Sequence, residues 1–494
     1  MKKDKSQPGI AVKVLQIHWH AKQAVYSIDF EPATTSERFA TGGADSTARI
    51  WTIVRNNGEP PNIQFRSTLA RHSAAVNAVR WSPNGGILAS AGDDASIVLW
   101  KEAAHVAQQL PQGNIADEDE VENLETWRLQ KHLKVPAGRE IYDIAWSPDA
   151  RYIISGCFDY VARIWDTHDG KCIHTIETHS HFVQGVAWDP LHQFIATQSS
   201  DRSVHVYAYA IKPSGFQCRR IASHTKFELP KVADENGQIE SDGQCEPPLS
   251  VSSSPLKQGT SSPALSLSLV NSPNIVTTSS SPEVIDVIDV EMIRSDTGAL
   301  PSLLKSAAGQ PLMDATQQPT PPPKPSQKSA RMYHDETLVS FFRRLTFSPD
   351  GSLLVTPTGQ YKLGVTTSDR MRNGTFIFGR GKIRGQPILV LPNLKKPSIA
   401  VRFCSKAYEL RRRDEDISDV EQQPPPSKIS LPYRLIFAVA AQDAVSIYDT
   451  QQASPLAILK NLHYASINDM AWSPDGRSLM LASSDGFCSM VDLS

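Results

Sequence analysis

Several marks of catalytic or secreted proteins are absent from this chain of 494 residues. Its six cysteines are scattered and never form a Cys-x-x-Cys pair, so neither a disulfide framework nor a zinc site is indicated. The P-loop, His-Glu-x-x-His and Gly-x-Ser-x-Gly patterns are absent as well. These absences remove the most easily recognised nucleotide-binding, metalloprotease and serine-hydrolase classes and favour a reducing compartment.

Excess charge of one sign and long apolar runs are also lacking. The formal net charge is −2, which argues against the dense basic face of a protein that grips DNA phosphates by itself. No apolar run approaches the roughly 18 residues that a membrane span requires. The N-terminal stretch MKKDKSQPGIAVKV has no apolar region of a secretory signal. The sequence therefore predicts a soluble intracellular protein, without a membrane segment and without direct DNA binding.

What the chain does contain is one short phrase, repeated several times. A turn aspartate precedes an apolar strand in GGADSTARIW (42–51), AGDDASIVLW (91–100), GCFDYVARIW (156–165) and QSSDRSVHVY (198–207). Asp443 and Asp485 align with these aspartates, and the intervals 159 to 201 and 443 to 485 are each 42 residues. Most copies also follow an aromatic residue and a proline turn, such as WSPNG, WSPDA or WSPDG. A fixed period of this kind indicates a repeat architecture.

Between these landmarks lie short segments such as VNAVRW and SIVLW, whose alternation is typical of half-buried strands. A unit of about 40–45 residues with four strands is the WD40 blade of a β-propeller. The sequence therefore predicts an all-β protein, a seven-bladed WD40 propeller with long insertions. Its last copy holds only three strands, and VKVLQIHWH (12–20) is predicted to add the fourth and close the ring.

The repeated aspartates fall at the spacing of the hydrogen-bonded tetrad of WD40 blades, in which a histidine bridges the aspartate and a serine that reaches a tryptophan. The predicted sets are His72, Ser90, Asp94 and Trp100 in blade 2; His179, Thr197, Asp201 and Tyr207 in blade 4; Thr41, Asp45 and Trp51 with His20 in blade 1; and Ser155, Asp159 and Trp165 in blade 3, where Ala137 replaces the histidine. Asp–His pairs also occur in hydrolytic triads, but a catalytic set occurs once, whereas these recur around the ring. We therefore interpret them as structural, and we predict no catalytic, cofactor-binding or metal-binding residues.

Long insertions divide the ring into three stretches. Residues 1–208 are predicted to form blades 1–4 and the N-terminal strand of blade 7, and residues 337–494 to form blades 5–7. Residues 209–336 are rich in serine and proline, as in SVSSSPLKQGTSSP, and are predicted to be disordered. Within them, SPEVIDVIDVEMI (281–293) has the pattern of a SUMO-interacting strand, which makes Val287 and Ile288 partner-binding candidates; the alternative is a sticky stretch without function.

Two further groups of charged residues are candidates for partner binding. An acidic run in the insertion between blades 2 and 3 would attract a basic partner, or would simply be solvated; it consists of Asp117, Glu118, Asp119, Glu120 and Glu122. Arg343 and Arg344 precede the proline turn of blade 5 and are predicted to lie at the rim of the propeller, where loops carry recognition.

Four phrases resemble the family of the WD40-repeat middle subunit of chromatin assembly factor 1 more specifically than they resemble WD repeats in general. They are HSHFVQGVAWDPLHQFIATQSSDRSVHVY (179–207), FFRRLTFSPDGSLLVTPTGQY (341–361), LPYRLIFAVAAQDAVSIYDTQQ (431–452) and INDMAWSPDGRSLMLASSDGFCS (467–489). The acidic insertion ADEDEVENLETW (116–127) also has a counterpart at the same blade junction of that family. The resemblance covers all seven blades, and the long Ser/Pro-rich loop departs from it.

The resemblance implies a non-enzymatic subunit of a nuclear histone chaperone, which deposits histones H3–H4 onto DNA at replication forks and repair sites. Its expected partners are the large and small subunits of chromatin assembly factor 1, histones H3–H4, and the donor chaperone Asf1. Family members often bind Asf1 through a short basic segment beyond the propeller, and this sequence shows no match to that segment. Three alternatives stay open: a related propeller of the histone regulator A family, a WD40 substrate receptor of a ubiquitin ligase, and an enzyme.

Overall fold

The computed structural model of this chain is built almost wholly from β-strands. It describes residues 11–15, 19–32, 37–56, 61–103, 123–136, 138–213, 215–228, 268–269, 329–362, 370–411, 429–452 and 454–493. All of these except one 3-10 turn, Arg380–Lys382, form strands, turns or loops. They belong to one compact unit. Seven blades follow one another along the chain, each with four strands once the first strand is counted with the last three, and a two-residue strand extends the last sheet to five.

The bounds of the first half of the strands are as follows. Strand β1 is Ala11–Leu15. Blade 1 is β2 (Val25–Phe30), β3 (Glu37–Gly43), β4 (Thr47–Val54) and β5 (Asn62–Ala70). Blade 2 is β6 (Val76–Trp81), β7 (Ile87–Gly92), β8 (Ser96–Glu102) and β9 (Trp127–Lys134). Blade 3 is β10 (Ile141–Trp146), β11 (Tyr152–Cys157), β12 (Ala162–Asp166) and β13 (Lys171–Ile176). Blade 4 is β14 (Val183–Trp188), β15 (Phe194–Ser199), β16 (Ser203–Lys212) and β17 (Gly215–His224).

Three short strands and the last three blades complete the fold. The short strands are β18 (Lys226–Glu228), β19 (Ser268–Leu269) and β20 (Ser329–Arg331). Blade 5 is β21 (Thr346–Phe347), β22 (Leu353–Tyr361), β23 (Arg372–Gly379) and β24 (Leu389–Leu394). Blade 6 is β25 (Ser398–Tyr408), β26 (Arg434–Ala441), β27 (Ala444–Asp449) and β28 (Ala457–Lys460). Blade 7 is β29 (Ile467–Trp472), β30 (Ser478–Ser483), β31 (Cys488–Asp492) and, as its fourth strand, β1, on which β19 pairs in parallel.

The N-terminal strand closes the ring, as the sequence predicts. Strand β1 pairs antiparallel with β31, in a register that sets Ala11 opposite Asp492 and Leu15 opposite Cys488. Without β1, the last blade would present the unpaired backbone groups of β31 to solvent. The prediction of a seven-bladed propeller closed by its own N-terminus is confirmed.

The hydrophobic core consists of seven clusters, each built from two successive blades. Between blades 1 and 2, for example, Ile50 and Leu69 pack with Val79, Trp81 and Trp100. Each blade therefore buries both of its faces against its neighbours, and burial decreases from the inner strand to the outer one. Every residue of β14 is buried, whereas exposed and partly buried residues alternate along β13. This gradient explains why inner strands read as continuous apolar runs and outer strands as polar alternation.

The boundaries of the predicted disordered insertion require a correction. Residues 209–228 and 329–336 were assigned to it, but β16 continues to Lys212 and β17 (Gly215–His224) is the outer strand of blade 4. Strands β18 and β20 then pair antiparallel, so the two flanks of the insertion form a two-stranded ribbon. Strand β17 escapes sequence reading because an outer strand has one solvated face, and its Arg219 and Arg220 resemble a linker.

Candidate functional site

The tetrad of blade 2 is a closed network of hydrogen bonds. His72 Nδ1 lies 2.9 Å from Asp94 Oδ2, and His72 Nε2 lies 2.7 Å from Ser90 Oγ. Trp100 Nε1 donates to the same Ser90 oxygen at 2.8 Å. The network joins the start of the inner strand to the turn between the second and third strands. We call the face of the propeller on which these histidines and aspartates lie the upper face.

Blade 1 repeats this arrangement. His20 contacts Asp45 at 2.7 Å and Thr41 at 2.9 Å, and Trp51 Nε1 donates to Thr41 at 2.9 Å. Burial lowers the pKa of His20, so the imidazole is held neutral. Burial acts to raise the pKa of Asp45, but the hydrogen bond and charge interaction with His20 and the hydrogen bonds from Thr47 together outweigh it, and the pKa lies below its usual value. The pair is a neutral donor and a charged acceptor, which suits a structural strut.

Blade 3 replaces the histidine by an arginine from its own sheet. Asp159 accepts hydrogen bonds from both terminal nitrogens of Arg163, one of them at 3.0 Å, while Trp165 Nε1 donates to Ser155 at 2.9 Å. Position 137 lies outside the described residues. The aspartate and the tryptophan therefore belong to two separate contacts instead of one network.

Blades 4 and 7 keep the Asp–His pair with different third partners. In blade 4, His179 lies 2.9 Å from Asp201 and 2.7 Å from Thr197, and the hydroxyl of Tyr207 lies 2.5 Å from Thr178 Oγ1. In blade 7, His463 lies 3.0 Å from Asp485 and accepts a hydrogen bond from Ser489 on β31 at 2.9 Å. The aspartates thus lie in separate blades, each bonded inside its own sheet, and they do not converge on one pocket.

A second polar network, which sequence reasoning missed, lines the central channel. Six of the blades each contribute one charged residue from the inner strand or the turn that leads into it, three acids and three bases: Asp29, Arg80, Asp143, Arg344, Arg402 and Asp469. The signal in the sequence is a single charge within an otherwise apolar inner strand, as in YDIAW and NDMAW. Charges of this kind can be buried because five of the six form ion pairs with one another and Asp29 accepts a hydrogen bond from the Trp81 N–H.

Asp469 is the centre of this channel network. It is fully buried and accepts hydrogen bonds from Arg80 and Arg402, each at 2.8 Å, and from Ser27 at 2.9 Å. Burial acts to raise its pKa, but Arg344 and the other two arginines outweigh that effect and keep the pKa well below its usual range. The carboxylate is therefore charged and holds the inner strands of four blades together.

Arg344 crosses the channel from blade 5 to the opposite side of the ring. Its guanidinium donates to Asp143 at 2.7 Å, to the Asn77 carbonyl at 2.7 Å and to the Tyr26 carbonyl at 3.2 Å. Blade 4 makes room for this segment, since a Cβ at Gly185 would lie 1.8 Å from the Arg343 carbonyl oxygen. Glycine is required there by close backbone approach.

The predicted rim position of Arg343 and Arg344 is wrong. Both side chains are 0% exposed. Arg343 donates to the backbone carbonyls of Ser199, His334 and Asp335, and Arg344 lies in the channel network. The two arginines are buried because each finds several acceptors that compensate for lost water. These hydrogen bonds hold both guanidinium groups inside the ring, so the two arginines are not free to bind a partner.

The other predicted partner-binding residues cannot be placed. The acidic run Asp117, Glu118, Asp119, Glu120 and Glu122, as well as Val287 and Ile288, lie outside the described residues. Among the described residues, no cluster of three or more His, Cys, Asp or Glu is arranged to hold a metal, and no helix is long and apolar enough to cross a membrane. Cys157, Cys404 and Cys488 are buried thiols, and burial raises the pKa of Cys157 to about 12.

Comparison with known proteins identifies the family. A family model described as the CAF1B/HIR1 beta-propeller domain matches residues 10–240 and 306–494. This chain belongs to that family. The two matched stretches take in all seven blades of the ring, so the family assignment rests on the whole propeller and not on one repeat.

Relatives within the family carry two kinds of name. The Schizosaccharomyces pombe protein named as the B-type subunit of Chromatin assembly factor 1 is 37% identical over 499 residues, which cover 97% of this chain and 86% of that protein. The Gallus gallus protein of the same name is 33% identical over 479 residues, 96% of this chain and 66% of its own length, just under two thirds. Protein HIR1 of Kluyveromyces lactis is 23% identical over 491 residues, which are 96% of this chain and 42% of that protein. The resemblance to the middle-subunit family of chromatin assembly factor 1 is thereby confirmed.

Proposed function

We propose that this chain is a non-catalytic scaffold subunit of a nuclear histone chaperone complex, which deposits histones H3–H4 onto DNA during replication and repair. The observation that carries the proposal is the match, along 96–97% of the chain, of proteins named as the B-type subunit of Chromatin assembly factor 1. Fold alone does not determine function, since β-propellers serve many roles. The proposal therefore depends on the relatives and not on the architecture.

The chemistry of the described residues supports a scaffold role. The tetrad histidines and aspartates are bonded within their own blades, and the channel carboxylates of Asp143 and Asp469 are paired with arginines. A catalytic site needs ionisable groups that can reach a substrate with suitable pKa values. Here the ionisable groups stabilise the ring, which leaves its faces to bind partners.

The proposed partners are the large and small subunits of the complex, with H3–H4 bound directly or through the large subunit. Asf1 is a further proposed partner, although the sequence shows no match to the basic segment that binds it in family members. Direct DNA binding is not proposed, because the net charge is −2.

The test is reconstitution of the full chain with the large and small subunits from the same organism. We expect one stable complex on size-exclusion chromatography, which forms nucleosomes from H3–H4 on replicating plasmid DNA and loses this activity when the chain is omitted. Failure of the chain to join the complex, or full activity of the complex without it, would contradict the proposal.

The main competing function is that of a histone regulator A type subunit. It is supported by the HIR1 relative, whose identity to this chain is 23%, lower than the 37% of the Schizosaccharomyces pombe relative. It predicts nucleosome formation on plasmid that is not replicating, with no dependence on the large subunit. A substrate receptor of a ubiquitin ligase instead predicts co-elution with a ligase scaffold protein, so the same chromatography separates these functions.

A further inference from the structure

An apolar segment, residues 338–342, lies across the upper end of the central channel. It precedes the inner strand of blade 5, and the backbone carbonyl of Val339 accepts a hydrogen bond from Gln442 of blade 6 at 2.7 Å. The Phe341 ring lies 6.4 Å from Tyr142 of blade 3. The segment thus spans from blade 6 to blade 3, yet Val339 is 84% exposed and Phe341 is 64% exposed.

Phe341 extends a group of aromatic rings on the upper face. We call this group the aromatic patch; it consists of Tyr142, Phe158, Tyr160, Phe182 and Phe341. Tyr142 lies 6.2–6.4 Å from three of the other rings, the Phe158 and Phe182 centroids are 4.3 Å apart, and Tyr160 lies 5.7 Å from Phe182. Tyr160 is 40% exposed. Clustered apolar side chains that face water mark an interaction surface.

Carboxylates border the aromatic patch. Glu140 lies two residues before Tyr142, and its Oε2 atom is buried without a hydrogen-bond partner among the described residues. Asp93 is exposed in the neighbouring turn of blade 2 and accepts a hydrogen bond from Asn77. Burial raises the pKa of Tyr142, and the negative charges of Glu140 and Asp93 add to that rise.

A cation already lies on this surface. The guanidinium of Arg139, an exposed residue, lies 5.9 Å from the centre of the Phe158 ring. A guanidinium stacks on aromatic faces and donates in a fork to carboxylates, so rings beside acids suit it better than they suit any other side chain. This arginine covers part of one ring and leaves Phe341 and Tyr160 exposed, with the partly exposed Glu140 beside them.

We propose that the aromatic patch, with Glu140 and Asp93, docks a segment of a partner protein that presents an arginine between apolar residues. The apolar residues pack on Val339 and Tyr160, and the guanidinium stacks on the exposed Phe341 ring beside the Glu140 carboxylate. Charge complementarity selects this occupant, since a cation compensates the negative charge of Glu140 and of the exposed Asp93. This inference concerns the chemistry of the surface, and it holds whether or not the chain serves in histone deposition.

The test measures binding of short labelled peptides to the full chain by fluorescence polarisation. The probe is the fluorescein-labelled peptide GSLRLSG, and the comparison peptides are GSLELSG, with the charge reversed, and GSSRSSG, without apolar residues. We expect the probe to bind about tenfold more tightly than either comparison peptide, because both the cation and the apolar contacts contribute.

Matched variants locate the binding on the surface. Phe341→Ser and Glu140→Gln are each expected to weaken binding of the probe about fivefold. Tyr464→Ser and Asp443→Asn are the controls, since Tyr464 is exposed beside the Asp–His pair of blade 7 and Asp443 forms an ion pair with Lys396, between blades 5 and 6. Arg139→Ala is expected to strengthen binding, because it removes a competing cation.

Three results would overturn the proposal. They are equal binding of GSLRLSG and GSLELSG, an unchanged affinity of the Phe341→Ser and Glu140→Gln variants, and an equal loss in the two control variants. Thermal unfolding of each variant shows whether the fold is kept. Phe341 is exposed, and Glu140→Gln keeps the shape of the side chain, so all variants should melt within a few degrees of the wild type.

Discussion

At the residue scale, the hydroxyl of the second strand decides how tightly a blade is bonded. Ser90 serves two buried groups at once, His72 and Trp100, whereas Ser155 serves Trp165 together with a long 3.8 Å contact to Cys157. Loss of a shared partner leaves every group that used it unpaired in a site where water cannot replace it. Substitution of each serine by alanine therefore allows a direct comparison of a hydroxyl with two buried partners and a hydroxyl with one.

We predict that Ser90→Ala lowers the free energy of unfolding by about 3 kcal/mol and that Ser155→Ala lowers it by about half as much, because two buried groups are orphaned in the first case and one in the second. Urea unfolding followed by tryptophan fluorescence measures both values. Equal losses would show that the histidine adds nothing to the tetrad.

Asp29 gives a prediction about pH. Burial raises its pKa to about 6, although Arg80 acts to lower it. Between about pH 4 and pH 6 the folded chain keeps a proton on Asp29 that the unfolded chain has released, so its contribution to stability falls as the pH rises through this range. An asparagine side chain at this position cannot ionise and can still accept the Trp81 N–H that now donates to Asp29 at 2.8 Å. We expect Asp29→Asn to gain about 2 kcal/mol of unfolding free energy relative to wild type between pH 4.5 and pH 7.5.

The comparison variant for this prediction is Asp335→Asn. Hydrogen bonds from Thr337 lower the pKa of Asp335 to about 2, so stability from this group is lost only as the pH falls below about 4. Its difference from wild type should stay constant from pH 4.5 to pH 7.5. If the Asp29→Asn difference were constant over the same range, the raised pKa of Asp29 would be disproved.

The residues of the two networks differ in how far the sequence reveals them. The spacing of His72, Ser90, Asp94 and Trp100 repeats along the chain, so pattern alone brings these residues together. The channel network has no regular repeat, because the charged residue is aspartate in some blades and arginine in others, and one of its pairs, Arg344 with Asp143, is 201 residues apart. The sequence alone therefore predicts that Arg344 is a surface residue, and only the closed ring shows that it is buried.

At the element scale, inner and outer strands have unequal roles. Inner strands are buried on both faces and set the channel, whereas the outer strands present one edge to solvent. This difference also limits sequence reading: apolar inner strands such as β14 are predicted, while the polar outer strand β17 is missed. Outer strands depend on pairing more than on their own hydrophobicity.

We predict that deletion of residues 1–15 destabilises the chain and makes it self-associate. Strand β1 would be lost, and the backbone donors and acceptors of β31 would be free to pair with a second molecule. Thermal unfolding and light scattering after size-exclusion chromatography test both effects. Deletion of residues 1–10 is the control, since it keeps β1; an equal effect of the two deletions would contradict a sealing role for this strand.

At the scale of the whole molecule, the channel network joins blades that are not neighbours. Arg344 of blade 5 contacts residues of blades 1, 2 and 3, and Asp469 of blade 7 accepts from arginines of blades 2 and 6. Apolar clusters connect each blade only to the next one. We therefore expect the channel network to make the ring unfold as one unit.

We predict that Arg344→Met lowers the free energy of unfolding by about 4 kcal/mol, because it leaves buried acceptors without their cation. Asp143→Asn should cost about 2 kcal/mol less in the Arg344→Met background than in wild type, since the two residues share one contact. A double-mutant cycle in urea measures the coupling. Arg477→Met is the control for an exposed arginine and should lower the free energy of unfolding by less than about 1 kcal/mol. If the effects of Arg344→Met and Asp143→Asn were strictly additive, the proposed coupling between these two residues across the channel would be refuted.

The pairing of β1 with β31 also has a consequence for biosynthesis. The strand that seals the circle leaves the ribosome first, and its partner follows more than 470 residues later. At about 5–20 residues per second, the earliest-made strand waits for roughly half a minute to a minute and a half before it can bond. During this interval the backbone donors and acceptors of β1 have no partner strand, so we expect the nascent chain to be prone to aggregation until synthesis is complete.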